Sequence, residues 1–158
     1  PGLPDLFQLA HSLSVTTSLD TNWDPTGKWK GIMDLLPLVD VFLPNAAEAC
    51  AITGLAEIES AADELAKHAG IAAIKLGAQG ALGVQGNCRV RASSMPVIVV
   101  DTVGAGDTFD AGFLYGFIKG WNLEKSLRLA IACGALSTRS AGGTSAQPTH
   151  EEAMQYVD

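Results

Sequence analysis

Apolar and polar positions along this chain follow two periods in turn, one typical of strands and one typical of helices. Short β-branched and apolar runs predict strands at residues 14–19, 39–43, 72–76 and 97–100. Apolar residues at helical spacing predict helices at residues 6–12, 29–36, 46–53, 60–69, 108–119, 123–137 and 151–157. This alternation is typical of an α/β fold made of β-α-β units on a mostly parallel sheet.

Capping residues and one turn refine this prediction. Asn45 with Glu48 three residues later forms a capping-box pattern, and Asn122 precedes the long helix at 123–137. Residues 80–92, with Gly86-Asn87 between two alternating runs, predict a β-hairpin added to the sheet. No linker or internal repeat is visible, so we expect one domain over residues 1–158.

Composition narrows the class of protein. With 158 residues and 47% hydrophobic content the chain can bury a core, and its net charge of -7 argues against binding to nucleic acid or to an anionic membrane. No apolar run approaches a membrane span. The sequence opens on Pro1 without a signal-peptide pattern, and Cys50, Cys88 and Cys133 form no C-x-x-C pair. We therefore expect buried reduced thiols and a cytoplasmic location.

One segment carries clear chemistry. Gly104, Gly106 and Asp107 stand between the apolar run at 97–100 and the helix at 108–119. Glycines expose backbone N–H groups, and a following helix directs its positive end toward them, so an anion is expected there. A carboxylate beside a bound phosphate repels it unless cations compensate, which indicates that Asp107 is a base acting on the group that attacks the phosphate.

Two other interpretations of this segment are a helix cap and a dinucleotide-binding turn. Asp107 alone is also compatible with a helix N-cap, with the glycines only shaping a turn. A dinucleotide fingerprint would need a third glycine where Phe109 stands, and no G-x-x-x-x-G-K-[ST] phosphate loop occurs in the chain. The segment therefore indicates either a phosphate site with a base or a capped turn.

The run from Asp101 to Phe109 resembles the signature D-T-x-G-A-G-D-x-F of the ribokinase-like (PfkB) carbohydrate kinase family. The resemblance implies a three-layer α/β/α sandwich and ATP-dependent phosphoryl transfer to a sugar hydroxyl. It implies that the N–H groups of Gly104, Ala105 and Gly106 form the anion hole and that Asp107 takes the proton of the hydroxyl. ATP and Mg²⁺ are the implied cofactors, and a small sugar is the implied partner.

Further motifs match the family. Asn45-x-x-Glu48 resembles its N-x-x-E motif, which places Asn45 near the phosphates and Glu48 near Mg²⁺ through water, although a plain helix cap explains the pair equally well. Lys75, Gly77 and Gly80 resemble its strand-end G-x-x-G loop, which contacts nucleotide phosphate and ribose. Lys75 would act there as a point charge on the phosphates; the alternative is a surface lysine after a tight turn.

Small residues near the end of the sequence correspond to the adenine pocket of the family, namely Ala132, Gly134, Gly142 and Gly143. The alternative for each is close helix packing or a flexible loop. The resemblance also implies a monovalent cation, K⁺, with Asp101 as a ligand, whereas an aspartate at a strand end is equally typical of a turn.

Residues 19–29 resemble the D-x-N-x-R-x-x-x-W stretch of fructokinase-like and ketodeoxygluconate-kinase-like members. Asp24 stands where those members often carry arginine. An aspartate would repel the carboxylate of a sugar acid, so this departure favours a neutral sugar.

The resemblance covers the chain only as the C-terminal half of a family member. We expect a fragment of a longer polypeptide, with a naturally short protein as the alternative, and we expect association into a homo-oligomer through an exposed sheet edge. An ATP-dependent sugar kinase is the expected function. A non-catalytic nucleotide or sugar-phosphate binding module and a pyridoxal-type kinase on the same fold remain the alternatives.

Overall fold

The computed structural model describes residues 2–157 of the chain. Its helices are α1 (Leu3–Ser12), α2 (Ile32–Leu35), α3 (Ala46–Thr53), α4 (Ile58–Ala66), α5 (Ala105–Ile118), α6 (Leu123–Ser137) and α7 (His150–Met154). Its strands are β1 (Ser18–Leu19), β2 (Val41–Phe42), β3 (Ile71–Lys75), β4 (Ala81–Gln85) and β5 (Cys88–Ala92). Single turns of 3-10 helix lie at Leu36–Leu38 and Gly77–Gln79.

The five strands form one sheet in the order β1-β2-β3-β4-β5. β1, β2 and β3 are parallel, with Val41 of β2 in register with Ser18 on one side and Ile71 on the other. β4 and β5 are neighbours joined by two residues, which confirms the predicted hairpin. Because parallel strands point the same way, the carboxyl ends of β1, β2 and β3 lie at one edge of the sheet.

By its internal contacts the chain divides into two compact units. The first comprises Pro1–Lys75 with Gly83–Arg89, and the second comprises Leu76–Leu82 with Val90–Asp158.

The first unit is centred on its parallel strands. Both residues of β2 and the first four of β3 are buried, as expected for strands covered on both faces. α3 has the predicted capping box between Asn45 and Glu48, and it ends at Gly54 in the left-handed conformation. Gly70, just before β3, leaves no room for a side chain, because a Cβ there would lie 2.8 Å from the carbonyl oxygen of Asp40.

The second unit is built on the contact between α5 and α6, where small residues bring the two backbones together. A Cβ on Gly112 of α5 would lie 2.9 Å from the Cα of Ala130 in α6. One on Gly116 would lie 2.6 Å from the hydroxyl of Ser126. α6 in turn buries Leu129, Leu136 and Ala132 with Ala153 of α7 in one apolar cluster.

One predicted strand is wrong. Residues 97–100 are not a strand, and Ile98, Val99 and Val100 are exposed. The backbone N–H groups of Val100 and Asp101 both donate to the carbonyl oxygen of Thr138, at 2.8 and 3.1 Å, so they make no ladder with a neighbouring strand. β-branched residues favour a strand only where a partner strand covers them, and this segment has none among residues 2–157.

Other boundaries differ by a few residues. α3 and α6 begin and end where predicted, because both carry a side-chain N-cap. α5 begins three residues earlier than predicted, and the helix predicted at 29–36 is the shorter α2 followed by a 3-10 turn at Leu36–Leu38. Cys88 is exposed and Cys50 and Cys133 are only partly buried, so the prediction of buried thiols is wrong at Cys88 and holds only in part at the other two. Burial does raise the pKa of the Cys133 thiol, to about 11.

No helix formed by residues 2–157 is both long enough and apolar enough to cross a membrane.

Candidate functional site

In the first unit, the predicted pair Asn45 and Glu48 lies just after β2. Asn45 Oδ1 accepts the backbone N–H of Glu48 at 2.9 Å, and Glu48 Oε2 accepts the backbone N–H of Asn45 at 3.0 Å. The side chain of Glu48 is buried, and Thr21 donates a further hydrogen bond to the same oxygen Oε2 at 3.3 Å. The capping arrangement is therefore present, and it engages one of the two carboxylate oxygens of Glu48.

Lys75 lies at the carboxyl end of β3, beside Asn45. Its backbone N–H donates to the carbonyl oxygen of Pro44 at 2.9 Å, and Lys75 and Asn45 form a parallel bridge. The Lys75 ammonium is 2.9 Å from Asp20 Oδ1, at the end of β1. The neighbouring ends of β2 and β3 therefore bring together the predicted residues Asn45, Glu48 and Lys75, and the end of β1 adds Asp20.

Sequence reasoning missed Asp20 and Thr21 at this edge. They immediately follow β1, and their partners lie 55 and 27 residues further along the chain. A signal was available, because both stand in the D-x-N stretch and the parallel pairing of the predicted strands places their carboxyl ends together. Lys75 is therefore paired with Asp20 and mostly covered, unlike the surface lysine of the alternative interpretation.

The Asp24 loop of the same unit is closed by hydrogen bonds. Asp24 accepts the backbone N–H groups of Thr26, Lys28 and Trp29 at 2.8 to 3.0 Å. These bonds, the one from Trp29 foremost, lower the pKa of Asp24 to about 2. The aspartate that departs from the family pattern thus has a structural role of its own.

In the second unit, the loop of Gly77 and Gly80 is a tight turn after the end of β3. The N–H of Gly80 donates to the Gly77 carbonyl at 3.0 Å, and both glycines have positive φ. A Cβ on Gly80 would lie only 2.0 Å from the carbonyl oxygen of Ala92, whereas the space beside Gly77 is open. The chain's own backbone therefore accounts for Gly80, and only Gly77 leaves room for a ligand.

The start of α5 carries the predicted anion hole and base. Gly104 is the N-cap, with φ of 73°, and no side chain caps the helix. Asp107 is the third helical residue and is exposed, so the interpretation of Asp107 as the N-cap is wrong. The N–H of Ala105 donates to the Thr102 carbonyl at 3.2 Å, which leaves the N–H groups of Gly106 and Asp107 as first-turn donors without a helical carbonyl to accept them.

A second loop supports this helix start. Gly104 packs against Gly143, since a Cβ on Gly104 would lie 2.8 Å from the carbonyl oxygen of Gly143. Asp101 joins the two loops, because Oδ2 accepts the N–H of Gly142 and Oδ1 that of Val103, each at 3.0 Å. These bonds lower the pKa of Asp101, and the bond from Gly142 has the largest effect. Asp101 therefore acts as the turn-forming residue of the alternative interpretation.

Of the two helical residues assigned to the adenine pocket, one borders a cavity. Ala132 lines a cavity of about 350 Å³, together with the apolar Met95 and Ile131 and the polar Arg91, Ser93, Arg128 and Tyr156. Gly134 instead faces α5, where its Cβ would lie 3.1 Å from the Ala105 carbonyl oxygen. Gly134 thus allows α6 to pack closely against the start of α5, as in the packing alternative.

The residues present fit a water-mediated magnesium site. Among residues 2–157, no three His, Cys, Asp or Glu side chains form a group that would bind a metal directly. Mg²⁺ usually retains several waters and is bound through one or two carboxylates and the substrate phosphates. Glu48, with one oxygen anchored, is a carboxylate of the type that such a site uses.

Comparison with known proteins identifies relatives. The sequence profile described as pfkB family carbohydrate kinase matches residues 2–150. A 2-dehydro-3-deoxygluconokinase of Bacillus subtilis (strain 168) is 37% identical over 134 residues, which cover 80% of this chain and 40% of that protein.

Solved structures of sugar kinases have a similar fold. A fructokinase double mutant from Vibrio cholerae, with fructose, ADP and potassium ion bound, has a TM-score of 0.86 at 25% identity, covering 98% of this chain and 54% of that one. Ribokinase from Arabidopsis thaliana, complexed with ribose and ATP, has a TM-score of 0.83 at 27% identity, covering 98% and 51%. The chain thus spans about half the length of these proteins, or less, and its fold is ribokinase-like α/β.

Proposed function

This chain belongs to the pfkB family of carbohydrate kinases, and from that premise we propose that it carries the phosphoryl-transfer residues of an ATP-dependent sugar kinase. The observation that carries the proposal is the start of α5. An exposed carboxylate, Asp107, stands there in the same helical turn as backbone N–H groups that have no helical carbonyl partner. Both a base and an anion site are needed for phosphoryl transfer to a hydroxyl.

The proposed reaction is an in-line displacement. Asp107 removes the proton of the sugar hydroxyl while the oxygen of that hydroxyl attacks the γ-phosphorus. The bond from this phosphorus to the β,γ-bridging oxygen breaks, and ADP leaves. The backbone N–H groups of Gly106 and Gly104, with that of Gly106 the more important, stabilise the charge on the transferred group. The positive end of α5 adds to this stabilisation. Ala105 contributes less than the sequence predicts, because its N–H donates to Thr102.

Residues of the first unit are proposed to serve the phosphates and the metal. Lys75 supplies a positive charge, Asn45 lies near the phosphates, and Glu48 orients water bound to Mg²⁺. When bound, Mg²⁺ would neutralise charge on the phosphates. The anchored Oε2 of Glu48 supports this role, because a water-binding carboxylate needs a fixed orientation.

The nucleotide base is proposed to enter the cavity beside Ala132. A volume of about 350 Å³ lies at the lower end of the usual range for ligand pockets, about 300–1,000 Å³. Met95 and Ile131 offer apolar surface for a ring, and Gly77, Gly142 and Gly143 are proposed backbone contacts for the rest of the nucleotide. Gly80 and Gly134 are proposed to act through packing alone, and the role of Asp101 as a K⁺ ligand stays a prediction.

The acceptor is proposed to be a small neutral sugar. Asp24 is negatively charged at neutral pH, because its low pKa keeps it ionised, and it would repel a sugar acid. The related 2-dehydro-3-deoxygluconokinase and the fructose and ribose complexes of the neighbours indicate the range of acceptors to test.

The test is Asp107→Asn, with Asp34→Asn as a control at an exposed aspartate of α2. ATP binding, measured by calorimetry, should persist in Asp107→Asn, while phosphate transfer by the full-length protein to a panel of sugars should fall at least about a hundredfold. Near-normal transfer would refute the assignment of the base. ATP binding without transfer to any of these sugars would favour the alternative, a non-catalytic binding module.

A further inference from the structure

The loop after β1 contacts both charged groups that the proposed function assigns to phosphate and metal. Asp20 Oδ1 accepts a hydrogen bond from the Lys75 ammonium at 2.9 Å. The next residue, Thr21, donates from Oγ1 to Glu48 Oε2 at 3.3 Å. Two consecutive residues thus contact the end of β3 and the first turn of α3, at the same edge of the sheet.

We propose that Asp20 and Thr21 are positioning residues, Asp20 for the Lys75 ammonium and Thr21 for the Glu48 carboxylate. The inference rests on the proposed function, since Lys75 and Glu48 have their phosphate and magnesium roles only there. Neither Asp20 nor Thr21 need touch the nucleotide, because each acts through the side chain that it holds.

Thr21 contacts a carboxylate, that of Glu48, that is almost completely buried. That side chain is only 3% exposed, and Oε2 accepts both the N–H of Asn45 and the hydroxyl of Thr21. The backbone bond alone fixes the distance of Oε2 from the helix start but leaves rotation of the carboxylate about its terminal bond, which is broad and soft. A second donor from a different loop restricts that rotation, and so fixes the direction in which Oε1 faces.

Asp20 contacts the end of a long and flexible side chain, that of Lys75. An ammonium on a flexible four-carbon stem has three N–H donors and many rotamers, so its place at a strand end is not set by the backbone. The side chain of Lys75 is only 14% exposed, and the bond to Asp20 accounts for one donor. The ion pair with Asp20 therefore favours one rotamer of Lys75 at this edge of the sheet.

The first experiment replaces the hydroxyl of Thr21. Binding of ATP is measured by calorimetry at increasing Mg²⁺ and again in excess chelator, for the unchanged chain, Thr21→Val and Thr21→Ser. Thr21→Val should need about tenfold more Mg²⁺ for half-maximal enhancement of ATP binding. Removal of a residue that orients a metal ligand typically weakens metal binding by about this factor. Thr21→Ser should behave as the unchanged chain, and binding in chelator should be the same for all three.

A matched control separates this effect from a general loss of β1 structure. Thr16→Val removes the hydroxyl of an exposed threonine a few residues earlier and should leave the Mg²⁺ dependence unchanged. Unfolding in urea is measured for every variant, and Thr21→Ala replaces Thr21→Val if the valine does not fold. An equal Mg²⁺ dependence in Thr21→Val and the unchanged chain overturns the role of Thr21.

The second experiment is a double-mutant cycle on Asp20 and Lys75. Asp20→Asn should weaken ATP binding about two- to fivefold, with and without Mg²⁺, as the loss of a partly exposed ion pair implies. In a Lys75→Met background Asp20→Asn should have no further effect, since Asp20 acts only through Lys75. Asp34→Asn again serves as the control. An undiminished effect of Asp20→Asn in the Lys75→Met background overturns the role of Asp20.

The same measurements separate failure of this inference from failure of the proposed function. If the unchanged chain does not bind ATP, or if Glu48→Gln and Lys75→Met bind Mg²⁺ and ATP as the unchanged chain does, the proposed function fails and the inference with it. If those two variants bind more weakly while Thr21→Val and Asp20→Asn do not, only the inference is overturned.

Discussion

At the scale of single residues, Asp24 illustrates how a polar side chain builds local structure. Its carboxylate accepts three backbone N–H groups and the hydroxyl of Thr26, which closes residues 24–29 into a loop. Trp29, at the end of this loop, has a positive φ of 45° and is buried with its ring edge-on to that of Trp23. The hydrogen bonds of Asp24 compensate the unfavourable backbone conformation of Trp29.

This bonding predicts a pH dependence of stability. The pKa of Asp24 is lowered from 3.8 to about 2 in the folded chain, so its contribution to stability is fully present above pH 3.8 and is lost as the pH falls toward 2. Asp24→Asn, which offers one acceptor oxygen, should unfold at lower urea than the unchanged chain at pH 7. The gap in urea midpoint should narrow between pH 4 and pH 2, within the window that these pKa values set.

The control is Asp34→Asn, at an exposed aspartate, which should show a small gap at every pH. A gap for Asp24→Asn that stays constant as the solution is acidified would contradict the assignment. Titration of the Asp24 carboxyl carbon by NMR checks the low pKa directly.

Much of the candidate site could be predicted at this scale, because backbone demands and charge leave few alternatives. The sequence predicts that the backbone bends at Gly104, and the positive φ of Gly104 agrees with this, while the roles of Gly104 and Asp107 in phosphoryl transfer stay predictions. The contacts of Asp20 and Thr21 have only an indirect signal in the pairing of the predicted strands, and the packing role of Gly80 has none, because each depends on a contact with a distant segment. Local patterns contain no information on which residues a long loop closure brings together.

At the scale of elements, the contact between α5 and α6 explains why α5 contains glycines, since they allow the two helices to pack closely. Helix propensity alone favours alanine over glycine inside a helix by about 0.5–1 kcal/mol. At Gly112, close packing has the opposite effect on stability, because a Cβ there would lie 2.9 Å from the Cα of Ala130 and 3.0 Å from the sulfur of Cys133. A backbone atom that close cannot move aside without displacing the helix.

We therefore expect Gly112→Ala to lower the free energy of unfolding by about 1–3 kcal/mol, the usual cost of overpacking. Urea unfolding measures it, with Ala111→Gly as a matched exchange at an exposed position of the same helix. Ala111→Gly should destabilise by only about 1 kcal/mol, through helix propensity. A Gly112→Ala variant as stable as the unchanged chain, or more stable, would contradict the packing argument.

Element boundaries were predictable where a capping residue marks them. α3 and α6 match their predictions because Asn45 and Asn122 each accept a backbone N–H in the first turn. α5 was predicted too short because its N-cap is a glycine, which gives no side-chain signal. Residues 97–100 have a strand-like composition, yet strand formation needs a partner that the segment itself does not encode.

At the scale of the whole molecule, apolar surface is exposed in a chain that otherwise buries its core. α1 has no buried residue, and several leucines of α1 and the residues after it are more than a third exposed, namely Leu3, Leu6, Leu9 and Leu13. β1 is at one end of the sheet order, so its outer edge faces no strand formed by residues 2–157. Apolar patches and open strand edges both favour association.

We therefore expect the chain to associate in solution as its concentration rises, despite its net charge of -7. Light scattering over a dilution series measures the average mass. The double variant Leu6→Lys, Leu13→Lys should shift association to higher concentration, because two charges then interrupt the exposed leucines. Its urea midpoint should stay close to that of the unchanged chain, since neither side chain is buried.

The matched control is Gln8→Lys with Lys30→Gln, which places a lysine at an exposed polar position of α1 without changing the net charge, and it should associate as the unchanged chain does. A monomer at every concentration would contradict the expectation, and equal association in the leucine variant would assign it to the β1 edge instead of to α1.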